Sequence, residues 1–200
     1  PENLQDEDVV DIVRPDRPLE NCLPVSIGGL SVHRIEDNAL LMIQADQTPA
    51  EASASFYDRS FTELDDPSCF VDRSCDLLVT RNHAERQNTL LTVEFVLFKD
   101  FRWVEVLDAE GEHDRWSIIS RSWFEQEWWG TEGNNALLQS YASDFWFETD
   151  DDTVWRYQTL WSESEISIET TDAAVRAILR LGIDSSFNRA DTAIDDLLDR

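Results

Sequence analysis

The sequence predicts an α+β fold in which a curved antiparallel sheet wraps a long C-terminal helix, with a short helix after the first strand. Three observations predict it. Val175, Leu179, Ile183, Phe187, Ala190, Ile194 and Leu197 recur at steps of three and four, which gives one helix an apolar face along its whole length. Between residues 76 and 161, apolar and polar residues alternate in runs separated by turn-forming clusters, the pattern of antiparallel strands. Thr48-Pro49-Ala50-Glu51 has the form of a helix start: a capping hydroxyl, a proline whose missing N–H costs nothing there, and an acid that reaches back.

In chain order, residues 1–24 read as an acidic arm punctuated by Pro1, Pro15, Pro18 and Pro24, either a loosely packed leader or a partner-binding segment. Residues 25–200 suffice for a single domain with one substantial core. Ala39-Leu40-Leu41-Met42-Ile43-Gln44 reads as the first buried strand. The helix that Thr48 caps carries Ala52, Phe56 and Leu64 on its stripe, and Asp65-Asp66-Pro67 ends it. Strands are predicted over Asp76–Thr80 and from Leu91 onward. There the apolar alternation breaks at Phe98-Lys99-Asp100 and resumes through Phe101, Trp103, Val104 and Val106, which predicts a tight turn or a bulge. Arg115–Phe124 follows, and Ala136–Glu148 with Thr153–Trp161 forms a hairpin around Thr149-Asp150-Asp151-Asp152. The last helix, 171–198, starts near Asp172, and Gly182 and Ser186 let it approach a sheet or a ligand closely.

Forty-two acids against 16 basic residues give a net charge of −26. Nucleic acids and anionic membrane surfaces are thereby excluded as partners, since both need a basic footprint. Eight Trp and 10 Phe exclude a wholly disordered acidic chain. Lys99 is the sole lysine, the other basic residues being arginine, a bias consistent with a salt-adapted exterior or with an Arg-rich codon usage. No apolar run reaches membrane-spanning length, so no stable membrane insertion is expected. Cys22, Cys69 and Cys75 follow no zinc spacing. They are expected as reduced thiols of a cytoplasmic protein, although a Cys69–Cys75 bridge is geometrically permitted.

The element order resembles the helix-grip fold of the START and Bet v 1-like superfamily. Ile43 to Ala52 is similar to that superfamily's first strand running into its first helix. Asp65-Asp66-Pro67 with Cys69-Phe70-Val71 is similar to the lead into its second strand, and Thr171 to Leu198 to its gripping helix. The resemblance implies binding or transfer of a lipid or another apolar small molecule in a cavity between sheet and helix, with cyclase or hydrolase chemistry known among relatives.

Candidate lining residues follow from the strand faces. Trp155, Tyr157 and Trp161 share one face of the last strand, and Leu137, Tyr141, Phe145 and Phe147 one face of its neighbour. Phe95 and Trp103 lie on the long central alternation, and Gly182 on the helix. Such an apolar concavity suits a small-molecule pocket, and the same alternation suits a solid sheet–helix core. Arg121 and Arg156, central to apolar strands, need partners such as Asp144 or Glu163.

Catalytic patterns are poor. His33, His83 and His113 are scattered, the acidic tip Glu148–Asp152 lacks calcium-loop spacing, and neither a metal nor a cofactor is implied. Trp128 and Trp129 must point to opposite faces of a strand, so one of them is exposed unless a dimer mate, another protein or a lid covers it, or the segment folds back on its own barrel mouth. Three readings stand: an apolar-ligand binder, an acidic module for a basic protein partner through that Trp pair, and an enzyme on the same scaffold with Asp144 or Glu94 as a base.

Overall fold

The computed structural model describes residues 2–87, 92–130, 135–166 and 171–199. Its strands are β1 (Leu23–Ser31), β2 (Ala54–Phe61), β3 (Leu77–Gln87), β4 (Thr92–Leu107), β5 (His113–Trp123), β6 (Trp128–Trp129), β7 (Ala136–Glu148) and β8 (Val154–Glu165). The helices are α1 (Ile35–Met42), the single turn α2 (Ser68–Val71) and α3 (Asp172–Leu198). The strands form one antiparallel sheet in the order β1-β8-β7-β5-β4-β3-β2, with β6 pairing beside them onto β7. α3 lies against β1 and also meets α1, so the sheet and the long helix enclose the space between them as the sequence predicts.

The first elements differ from expectation. The apolar run 39–44 falls largely in α1, because the turn before it decides its geometry. Ile35, Ala39 and Met42 are buried at helical spacing, and Asp37 at the third helical position bonds back to the Arg34 N–H. Gln47 Nε2 then bonds the carbonyls of Leu41 and Gln44 at the helix end. Thr48-Pro49-Ala50 makes one 3-10 turn and no helix, and the Thr48 hydroxyl accepts from the Tyr57 N–H at 2.8 Å. The residues that follow pair with β3, which satisfies a strand's backbone groups where a helix stripe was expected. A short helix does follow the first strand, but the pair is β1 and α1, upstream of the expected one.

β4 is a single strand of 16 residues, and its pairing with β3 and β5 is continuous through Phe98-Lys99-Asp100. Leu91, its expected first residue, lies outside the described residues. The apolar parity falters at Lys99 because the inward position is a lysine, while no turn or bulge intervenes. The hairpin β7–β8 and the helix 172–198 stand where predicted.

Cys69 and Cys75 form a disulfide across Cα atoms 5.3 Å apart, in place of the expected free thiols. Arg73, inside that loop at φ 60°, lays its guanidinium over Trp103 and Trp116. Phe70 of α2 is fully buried in the core that also holds Ile35, Leu78, Phe101 and Ile118.

The N-terminal segment is seated on the convex face. Val9, Leu19 and Cys22 pack with Tyr141, and Trp123 and Trp161 lie against the same cluster. Arg17 holds Glu163 through Nε at 3.0 Å and Nη2 at 2.6 Å, and Glu127 through Nη1 at 2.9 Å. That guanidinium keeps the Glu163 carboxyl below the usual range. A depressed acid contributes stability above its unfolded pKa and loses it as pH falls through the folded value. Arg17→Ala is therefore expected to lower Tm at pH 7, with the gap to wild type narrowing below about pH 4. Equal gaps at both pH values would remove the ion pair from this account.

Trp128 packs toward the cluster of Tyr57, Phe95 and Phe124, whereas Trp129 is 53% exposed. The two rings thus part to opposite faces, as adjacent strand residues must.

Candidate functional site

Because strand side chains alternate, one parity of each strand faces α3. On β4 that set includes Phe95, Leu97, Lys99 and Phe101; on β7 it is Ser140, Ala142, Asp144 and Trp146; on β8 it is Arg156, Gln158 and Leu160. The helix presents Ile178, Leu179, Gly182, Ile183, Ser186 and Phe187 to them. It can come this close at β1 because Gly29 carries no side chain: a Cβ there would stand 3.1 Å from the Phe187 ring.

Between these surfaces lie three adjoining chambers of about 110, 170 and 100 Å³. Each far exceeds the roughly 10–15 Å³ that admits one water. Glu51, Tyr57, Lys99, Gln158 and Ser186 line both the first and the second. Arg86, Phe124, Leu160 and Leu179 line both the second and the third. The three chambers therefore adjoin one another between the sheet and α3.

Its first chamber, beside α1, is charged. Lys99 Nζ meets Asp144 Oδ2 at 2.6 Å, and the Ser120 hydroxyl donates to that same oxygen at 2.9 Å. The ammonium also lies 4.9 Å from the centre of the Phe101 ring and 5.7 Å from that of Trp146. Asp144 Oδ1 is buried without a donor. Arg156, expected against Asp144 or Glu163, instead binds Asp191 of α3 at 2.8 Å and donates to the Phe187 carbonyl at 3.1 Å, with its Nε unpartnered. Ser31 also donates to Asp191, at 2.6 Å, so one carboxylate ties α3 to β1 and β8. Burial pulls the Arg156 pKa down, and Asp191 works against that. Arg121, on the opposite face, pairs with Asp100 and Asp11.

Arg59 of β2 completes the chamber. Its Nε donates to Asn82 Oδ1 at 2.8 Å, its Nη1 to the Met42 carbonyl, and its guanidinium lies 5.2 Å from the centre of the Phe101 ring. Burial lowers its pKa, the Tyr57 hydroxyl being its chief local compensation.

The sequence-derived lining residues divide between the faces. Phe95 and Gly182 line the second chamber, and Phe145 and Tyr157 border the first. Trp103 sits in the core cluster and donates its Nε1–H to the Phe70 carbonyl. Tyr141 and Trp161 lie beneath the N-terminal segment. Trp155 is 53% exposed beside Leu30, its partner on β1. Arg59, Lys99, Gln158 and the turn residues 47–51 were absent from the expected lining. Lys99 had announced itself, as the polar residue where the β4 parity falters.

Among the described residues no group of three or more His, Cys, Asp or Glu is placed to hold a metal ion, and no helix is long and apolar enough to cross a membrane. The Cys22 thiol is pushed up to about 12 by burial, which makes it a packing group and a poor nucleophile.

No protein-family model matches the chain, and no curated protein matches it. Its fold does have counterparts among solved structures. TTHA0849 from Thermus thermophilus superposes with a TM-score of 0.50 at 12% identity, over 87% of this chain and 98% of that one. The Zhui aromatase/cyclase from a Streptomyces species aligns over 87% of this chain and 94% of its own, at 11% identity and a TM-score of 0.47. The chain thus has a helix-grip-like α+β fold shared with TTHA0849.

Proposed function

We propose that this protein binds an apolar small molecule, a lipid or a compound of similar character, in the space between the sheet and α3. The observation that carries the reading is that three adjoining chambers, sharing wall residues, lie between the sheet and α3. Gly182 lines the second chamber and is exposed, so that chamber is reached from solvent beside α3. The resemblance to the START and Bet v 1-like superfamily in element order supports the same reading.

Titration of the full chain, purified without detergent, with decanol under native mass spectrometry is the test. A 1:1 adduct is expected, lost in Leu160→Trp, which projects into the second and third chambers, and kept in Trp155→Ala on the opposite face. Absence of any adduct in the wild type overturns the reading.

A further inference from the structure

We propose that the ligand is an apolar monocarboxylate whose anionic head binds Arg59 in the first chamber, while its apolar body extends through the second and third. The proposal rests on the reading that the cavity holds an apolar ligand, and names the class.

Charge pairing in the first chamber carries it. Three cations line that chamber, and two have a carboxylate: Lys99 has Asp144 and Arg156 has Asp191. Arg59 is only 8% exposed, yet its hydrogen bonds go to a side-chain amide and a backbone carbonyl, and no acid among the described residues forms an ion pair with it. Scarcity of acids is not the reason in a chain with 42 of them. A buried cation without a counter-ion is costly, and a guanidinium offers five donors in a fork matched to a carboxylate. A ligand carboxylate supplies the missing charge.

The same accounting sets the head's charge and the body's character. Glu51, the other acid lining the chamber, is taken by Arg86 at 3.7 Å, so Arg59 is the cation left without an ion pair, and a monoanion neutralises the chamber where a phosphate monoester would overfill it. Asp144 strengthens that selection, because its Oδ1 is buried, without a donor, in the same chamber. Beyond Lys99 the walls carry Phe95, Leu97, Leu160, Leu179 and Ile183 among serines, which suits an alkyl or aryl body, and the cation lining the second and third chambers, Arg86, already pairs with Glu51 at 3.7 Å.

Calorimetric titration of the full chain at pH 8 with decanoate, decanol and decyl phosphate separates the terms. Wild type is expected to bind decanoate about tenfold or more tightly than decanol, and more tightly than decyl phosphate. Arg59→Gln is expected to bring the ratio of decanoate to decanol affinity to within about twofold of one. Equal affinity of the wild type for decanoate and decanol overturns the anion site but leaves the apolar cavity standing, as does a preference that survives Arg59→Gln. Tighter binding of decyl phosphate overturns the monoanion assignment. Binding of none of the three overturns the cavity reading and this inference with it. Should Arg59→Gln fail to fold, the wild-type ratios decide the matter, and Arg59→Lys, which keeps the cation, is expected to retain the preference.

Discussion

Lys99→Met is expected to destabilise the protein by about 3–5 kcal/mol, the usual cost of stranding one partner of a buried ion pair. The side chains of Lys99 and Asp144 are 15% and 6% exposed, and 2.6 Å separates the charged atoms. Removing the ammonium leaves Asp144 with only the Ser120 hydroxyl on Oδ2 and nothing on Oδ1. Methionine retains most of the lysine stem's volume and its contact with Phe101 and Trp146, so the loss reports on charge more than on packing. A double variant, Lys99→Met with Asp144→Leu, is expected to recover most of the deficit, because paired removal of a buried ion pair is often near neutral. Urea unfolding of the three proteins measures this. A single-variant cost below about 1 kcal/mol would show that bulk water screens the pair, and a water-filled chamber is a poor host for an apolar ligand.

The periodic elements were legible in the residues, and the short ones were not. α3 was readable because seven apolar positions keep helical spacing over its length, and the β7–β8 hairpin because its alternation flanks a run of turn formers. α1 was misread because five successive apolar residues fit a buried strand as well as a buried helix, and the arbiter, Asp37 bonding back to Arg34, lies upstream of the run. The Thr48 cap misled in the opposite sense. Its hydroxyl is used, but by the Tyr57 N–H of a strand whose hydrogen bonds come from β3, a partner remote in sequence.

The site was half legible for a related reason. Alternation identifies two faces of a strand without saying which is concave. On β7 and β8 the aromatic parity looked like the lining, yet the helix covers the parity of Asp144, Arg156 and Gln158. The aromatic side is used elsewhere, where Tyr141 and Trp161 seat the N-terminal segment. The charged residues that interrupt apolar strands are the better guide here. Lys99 and Arg156 both broke the pattern, and both line the cavity with their ion pairs.

Gly182→Phe is expected to abolish measurable decanol binding, a loss of more than tenfold, while leaving the fold as stable as before or slightly more so. The two effects have separate origins. Glycine inside a helix costs up to about 1 kcal/mol relative to better helix formers, so any side chain that fits without clash recovers part of that. At this position a new Cβ meets nothing within 4 Å, so overpacking does not offset the gain. Gly182 lies between Leu179 and Ser186 at the exposed edge of the second chamber, and a phenyl ring folded inward from there fills the chamber that lies between the first and the third. A merely structural glycine, kept for close helix–sheet contact as Gly29 is, would behave in the opposite way and unfold the protein on substitution. Urea midpoints and decanol titrations on the same sample separate these cases. Stability retained with binding lost is the signature of a ligand space; stability retained with binding unchanged would place the ligand elsewhere on the molecule.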